Sequence, residues 1–337
     1  MNESLQIGII GLGYWGPNLV RNFRSVEGAT VRICCDLELS RFQKLASQYS
    51  DLDFTTSARE VIEHPGVDAV VIATPVVTHF ELARMALTAG KSVLVEKPLS
   101  LRVEDATELV ELADRKGLTL QVDHVFVYSP AVKQIKRIVD SGRLGRLFFI
   151  DSVRINLGLF QRDVNVLWDL APHDLSIVDY LVGKMPRSVS AFGSVHADKE
   201  MEDVAYLNLD FGDGLIANFH VNWLSPVKVR SMIIGGSDQS LIYNDLDANE
   251  GIKIYDRGIR TQNDEERHKS LISYRTGDMS SPNVSRDEPL CLMAMDFVRC
   301  IQQRQRPVAD GESGVRVVKI LDAAQRSIKA QGGRIVL

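Results

Sequence analysis

The hydrophobic pattern of the chain changes character near residue 125. Before that point, short apolar runs alternate with stretches in which apolar residues recur every three or four positions. The runs Gln6–Ile10, Thr30–Cys35, Ala69–Ala73, Ser92–Glu96 and Leu118–Val122 predict strands, and 16–24, 40–49, 78–90 and 103–116 predict helices. Ala69–Ala73 is apolar at every position, which suits a strand covered on both faces. Ser57-Ala58-Arg59-Glu60 and Thr78-His79-Phe80-Glu81 have the spacing of capping boxes, and Gly90 and Gly117 stand where left-handed caps end helices. Strands alternating with helices imply right-handed crossovers and a parallel, doubly wound sheet.

Beyond residue 125 a helix over 130–141 is followed by period-two alternation. Ala217, Phe219, Val221 and Trp223 face one way while Asn218, His220 and Asn222 face the other. Leu207, Leu209 and Phe211 alternate likewise, and Gly212-Asp213-Gly214 is a tight turn. This half predicts a large, mostly antiparallel sheet whose apolar face needs a cover. The stretch 257–288 is polar and aperiodic and predicts a long loop, and helices return at 290–303 and 313–330. The fold class is therefore α/β, with a doubly wound N-terminal domain over 1–124 and an α+β domain over 125–337.

Composition narrows the partners. With 39 Lys and Arg against 44 Asp and Glu, the net charge is -5, and no basic stretch marks a nucleic-acid or membrane surface. Cys34, Cys35, Cys291 and Cys300 form no C-x-x-C pair, so they predict free thiols and no metal site. The opening Met1-Asn2-Glu3-Ser4 has no basic n-region and no long apolar run follows, so a cytoplasmic protein is expected.

Gly11, Gly13 and Gly16 follow the first strand at G-x-G-x-x-G spacing and open a helix, with Tyr14 and Trp15 between them. Twenty residues after Gly16, Asp36 ends the second strand. Glycines let backbone N–H groups approach a pyrophosphate, and the acid accepts from a ribose hydroxyl, which favours NAD over NADP. Arg41 nearby is the one residue that argues for NADP. The aromatics predict one ring toward the nicotinamide cleft and one packed under the loop.

Ligands of such sheets bind beyond the carboxyl ends of the strands. There the chain places Thr74-Pro75 and Glu96-Lys97-Pro98, the latter readable also as a surface ion pair before a rigid turn. The proline leaves a cis Lys97–Pro98 bond open. In Trp168-Asp169-Leu170-Ala171-Pro172-His173-Asp174, Pro172 predicts the first turn of a helix, on which Asp169 and His173 stack four apart. A carboxylate beside an imidazole can orient it for proton transfer, and an N-cap aspartate beside an incidental histidine fits the same residues.

The fingerprint, Thr74-Pro75 with His79, Glu96-Lys97-Pro98 and Asp169-x-x-x-His173, in this order over nearly the whole chain, resembles the Gfo/Idh/MocA oxidoreductases, the glucose–fructose oxidoreductase and inositol dehydrogenase group. The family often carries asparagine after Thr-Pro, where this chain has Val76. The resemblance implies an NAD-binding Rossmann domain and a second, substrate-binding domain whose open sheet forms homodimers or homotetramers. It also implies Lys97, Asp169 and His173 as catalytic residues and Glu96 near the nicotinamide ribose, with Thr74, Pro75 and His79 also on the cofactor. An imidazole of ordinary pKa near ~6.5 suits the hydroxyl proton, with Lys97 as its partner or in exchanged roles. Arg154, Asn156, Arg162, Asn165 and Trp168 precede or open the catalytic helix and are the candidate substrate contacts. Their pattern resembles family members that oxidise nucleotide sugars for surface polysaccharides, with a UDP-N-acetylhexosamine or its uronate oxidised at C3. Inositol or free-sugar oxidation, glycoside cleavage through a 3-keto sugar with NAD recycled, and a non-enzymatic NAD sensor are the alternatives.

Overall fold

A computed structural model describes residues 4–158, 160–161, 163–197, 200–256, 258–260, 273–275 and 277–337. The chain forms two compact units, Met1–Ser129 with Asp287–Asp322, and Pro130–Arg286 with Ala323–Leu337. The units differ from a single cut after residue 124, because the helix Pro289–Gln303 and much of the helix Gly311–Lys329 cluster with the first unit. Phe297 explains part of this return, since its ring meets Phe23 edge-on at 6.1 Å and both are fully buried.

In the first unit, β1 (Leu5–Ile10), β2 (Ala29–Cys35), β3 (Asp53–Thr55), β4 (Ala69–Ile72), β5 (Ser92–Val95) and β6 (Leu120–Val122) make an all-parallel sheet in the order β3-β2-β1-β4-β5-β6. Helices α1 (Gly16–Ser25), α2 (Ser40–Gln48), α3 (Ala58–Glu63), α4 (His79–Thr88) and α5 (Val103–Lys116) make the crossovers. All four residues of β4 and of β5 are buried, as continuous apolar runs require. The strand order reverses between β1 and β4, so the ligand crevice of this sheet lies at their carboxyl ends. Ser57 caps α3 by accepting from Glu60 N at 3.3 Å. The Thr78 box does not form: its hydroxyl donates to Pro75 O at 2.7 Å, a 3-10 turn occupies Val76–Thr78, and α4 begins at His79. Backbone bonding nearby has captured the capping hydroxyl.

The second unit opens with α6 (Pro130–Asp140). Its nine-stranded sheet uses β7 (Leu147–Leu157), β8 (Ser188–Ser194), β9 (Val204–Asp210), β10 (Ile216–Asn222), β11 (Leu224–Gly236), β12 (Ser240–Asn244), β13 (Ile252–Tyr255), β16 (Met279–Ser280) and β17 (Ile335–Val336). The order is β16-β13-β12-β11-β7-β10-β9-β8-β17, with only the β7–β10 pair parallel. Ala217, Phe219 and Val221 of β10 and Ala205, Leu207 and Leu209 of β9 are buried on the face that α7 (Val166–Val182) covers. Within the stretch read as a long loop, β14 (Gly258–Arg260) pairs with β15 (Ser273–Arg275), and β16 joins the sheet edge. The rest of that reading falls largely outside the described residues.

Helix α7 corrects a boundary. It starts at Val166, so Pro172 lies inside the helix instead of opening it. Asn165 is the N-cap, its Oδ1 accepting from Trp168 N at 3.1 Å, and the apolar pair Val166 and Leu167 anchors the first turn in the core. Asp169 and His173 still stand one turn apart on this helix.

Candidate active site

The glycine loop leaves β1 and enters α1 with the tightness its spacing demands. Gly11 has φ +98, and a Cβ on it would lie 2.4 Å from Ala73 O. A Cβ on Gly16 would lie 2.2 Å from Gly11 O, whereas one on Gly13 meets nothing closer than Arg41 Nη1 at 3.6 Å. The loop is packed on its inner side and open at Gly13, and the first turn of α1 carries no acid, which suits an approaching pyrophosphate. Asp36 is buried and accepts from Leu12 N at 2.7 Å, Glu38 N at 2.9 Å and Arg41 Nη1 at 3.0 Å. Burial pushes its carboxyl upward, but the Glu38 and Leu12 amides and the Arg41 guanidinium outweigh that and hold it below the usual carboxylate range. An ionised carboxyl at this position has the chemistry to accept from a ribose hydroxyl, and these residues fit NAD. Tyr14 and Trp15 meet edge-on at 5.2 Å and are 77% and 44% exposed, so neither packs under the loop.

At the carboxyl ends of β4 and β5 the expected residues take different parts. The His79 ring nitrogens lie 2.9 Å from Pro98 O and 2.8 Å from Thr74 O, and the ring is buried. His79 therefore ties the Thr74-Pro75 turn to the Lys97-Pro98 turn through its two ring nitrogens. Thr74 and Thr78 share a hydroxyl–hydroxyl bond at 2.7 Å. The Lys97–Pro98 bond is cis, and Lys97 is half-buried. Glu96 follows β5 and is 8% exposed, and Asp123 follows the neighbouring β6 and is 3% exposed. Burial first, then the charge of Asp123, drives the Glu96 carboxyl well above its ordinary range, against the pull of Lys97. Burial pushes Asp123 up to about 6, and burial with the Lys97 and Arg316 charges pushes the neighbouring His124 down to about 3.

In the second unit, the Trp223 indole donates to Asp169 Oδ2 at 3.1 Å, and the Phe160 ring lies over Trp223 at 5.3 Å. Asp169 and His173 are half-buried on α7. Arg154 lies in β7 and donates through Nε and Nη2 to both oxygens of Asp174 at 2.9 and 2.8 Å, out of solvent. Asn165, the cap of α7, also donates to Gln325 at 2.8 Å and to Glu202, so its side chain is spent on the fold. Trp168 is buried, and Asn156 is half-buried near the end of β7. Arg162 lies outside the described residues.

Residues 5–124 match the family profile described as oxidoreductase family, NAD-binding Rossmann fold, and residues 132–242 match the GFO/IDH/MocA C-terminal domain. The chain belongs to the Gfo/Idh/MocA oxidoreductase family. It is an NAD(P)-dependent dehydrogenase of sugar-type substrates. It is similar to the scyllo-inositol 2-dehydrogenase (NAD(+)) of Bacillus subtilis, 28% identical over 91% of this chain and 89% of the relative. It is also similar to the UDP-N-acetylglucosamine 3-dehydrogenase of Acidithiobacillus ferrooxidans, 26% identical over 93% of this chain and 94% of the relative. A solved structure of a UDP-N-acetylglucosamine 3-dehydrogenase from that organism shares the fold, with a TM-score of 0.82 at 24% identity over 97% of this chain and 98% of that one. No helix among the described residues is long and apolar enough to cross a membrane.

Sequence reasoning passed over Asp123, His124 and Trp223 as site residues. Asp123 and His124 directly follow β6, the position on a parallel sheet where polar residues most often serve a ligand, and that placement was the available signal.

Proposed function

We propose that the chain oxidises the C3 hydroxyl of a nucleotide sugar, a UDP-N-acetylhexosamine or its uronate. The observation that carries this reading is the similarity, over nearly the full length of both chains, to a UDP-N-acetylglucosamine 3-dehydrogenase. The Asn156-Leu157-Gly158 to Asp174 pattern supports it. When bound, NAD supplies the acceptor for the hydride leaving the sugar carbon. His173 and Lys97 handle the hydroxyl proton: one takes it, and the other hydrogen-bonds the same oxygen as alkoxide charge develops. Asp169 orients the imidazole or grips a neighbouring hydroxyl. Gly11, Gly13, Gly16, Tyr14, Trp15, Asp36, Thr74, Pro75 and Glu96 serve the cofactor region. With Arg154 and Asn165 engaged internally, Asn156, Arg162 and Trp168 remain the substrate contacts of this reading.

Oxidation of an inositol or free sugar is the second reading, favoured by the similarity to a scyllo-inositol 2-dehydrogenase. Assembly into a homodimer or homotetramer would use the sheet face that α7 leaves open, where Phe192, Tyr206, Ile216 and Ile233 are exposed. Four free cysteines accord with a cytoplasmic location.

The test is turnover on UDP- and dTDP-sugars, uronates, free sugars and inositols, followed by NADH absorbance with product analysis. A 3-keto nucleotide sugar is the expected product. Turnover of inositols alone contradicts the reading, and release of a free sugar without NADH reassigns the chain to glycoside cleavage.

A further inference from the structure

Two acids, Glu202 and Asp203, directly precede β9 and belong to none of the sequence motifs. Glu202 is half-buried, and its carboxylate closes a ring of three side chains. Its Oε2 accepts from Asn165 Nδ2 at 2.5 Å and its Oε1 from Gln325 Nε2 at 3.1 Å, while Asn165 Nδ2 also donates to Gln325 Oε1 at 2.8 Å. The main-chain oxygen of Glu202 accepts from Val166 N at 3.0 Å. Both groups of Glu202 therefore hold one place, the start of α7. A cap needs only the bond from Trp168 N to Asn165 Oδ1, so the ring adds a restraint on the asparagine itself. Gly193 makes room for it, since a Cβ there would lie 2.8 Å from Glu202 Cγ.

Asp203 is fully buried and holds a second place. Its Oδ2 accepts from His196 N at 2.8 Å and Ala197 N at 2.7 Å, and its Oδ1 lies 2.8 Å from His196 Nδ1. Its own N–H donates to Ser194 O at 3.0 Å, and its carbonyl accepts from Trp223 N at 2.9 Å. The two acids converge on Asp169. Asp169 N donates to Asn165 O at 3.0 Å, and Asp169 Oδ2 accepts from Trp223 Nε1 at 3.1 Å. Glu202 thus reaches the backbone of Asp169 through Asn165, and Asp203 reaches its carboxylate through Trp223. Every residue of both arms lies in the second unit.

We propose that Glu202 is a positioning residue for Asp169, one arm of a bracket whose other arm runs from Asp203 through Trp223. This rests on the reading that Asp169 orients the imidazole or grips a neighbouring hydroxyl. A group with that task must be held to within about 0.5 Å, and a displacement on the order of 1 Å can cost about a hundredfold in rate. Neither arm alone is enough. The indole bond fixes one carboxylate oxygen but leaves the first turn of α7 free to fray, and the cap fixes the turn but leaves the carboxylate free to rotate. Glu202 itself touches neither substrate nor cofactor in this account and moves no proton.

Glu202→Ala removes the carboxylate and keeps the main-chain bond to Val166. Its kcat/KM for the preferred sugar should fall about tenfold, with the Kd for NAD within about twofold of wild type. Glu202→Gln retains an acceptor for Asn165 and should recover to within about threefold. Gly193→Ala displaces Glu202 without altering its chemistry, and should lower kcat/KM in the same direction by about threefold or more. A purely structural role would not move the indole N–H proton resonance of Trp223, assigned by its loss in Trp223→Phe. In Glu202→Ala that resonance should shift upfield as the bond to Asp169 loosens. Thermal unfolding checks that each variant is native, and Gly193→Ala serves if Glu202→Ala does not fold. Adding Glu202→Ala to Asp169→Asn should cost less than about twofold further, because both act through one group. An unmoved indole resonance or a wild-type kcat/KM in the folded Glu202 variant overturns the proposal. Wild-type kcat/KM in Asp169→Asn instead overturns the reading of Asp169, and the indole resonance of Glu202→Ala then judges the bracket by itself.

Discussion

Two buried pairs of ionisable side chains, one in each compact unit, are built on opposite principles. In the first unit, Glu96 meets Asp123, like with like. In the second, Arg154 meets Asp174 through two parallel N–H···O bonds at 2.8 and 2.9 Å. Burial opposes the charge on Arg154, but Asp174 more than offsets it and the guanidinium stays ionised. An opposite-charge pair is complete without a proton. A like-charge pair must hold a proton, so its charge depends on pH. Equal burial therefore marks a fastener in one unit and a titrating site in the other. The fastener ties β7 to α7, the helix that carries Asp169 and His173.

The sharpest break of this contrast is Asp174→Asn. It leaves the Arg154 guanidinium buried without its bidentate carboxylate, and unfolding measurements should show a loss of about 3–5 kcal/mol. The double variant Arg154→Met with Asp174→Leu should recover to within about 1 kcal/mol of wild type, because a buried ion pair adds little over a well-packed apolar one. A single variant as stable as wild type would show that the pair fastens nothing.

A smaller effect is expected at Trp223. Trp223→Phe keeps a buried ring but removes the N–H that holds Asp169, so kcat/KM should fall about tenfold, equivalent to about 1.4 kcal/mol, with NAD affinity unchanged. Unaltered kcat/KM would mean that Asp169 needs no orientation from β10 and its flank, and that the second unit contributes fastening alone.

Local signals were the readable ones. Helix α5 runs from Val103 to Lys116 with Gly117 at φ +64 as its left-handed cap, as the spacing predicts. The glycine loop and Asp36 also sit as read, because strand, turn and helix follow one another in sequence. What escaped depends on partners far along the chain. Arg154 looked like a substrate contact because Asp174, which claims it, stands on another element. The tie made by His79 was hidden because its partners are carbonyls, which leave no mark on residue types. Pro172 looked like part of a helix's first turn, yet the cap at Asn165 and the buried Val166 and Leu167 set the start at Val166. Asp123 was missed for the same reason as Arg154: only the parallel pairing of β5 and β6 brings it to Glu96.

The account centres on Lys97 as a proton-handling group at the end of β5. Lys97→Met keeps the length of the side chain and removes the amine, and NADH formation on the preferred sugar is the direct measure. Turnover should fall by about a thousandfold while the Kd for NAD stays within about twofold of wild type. Wild-type turnover in that variant would contradict the account.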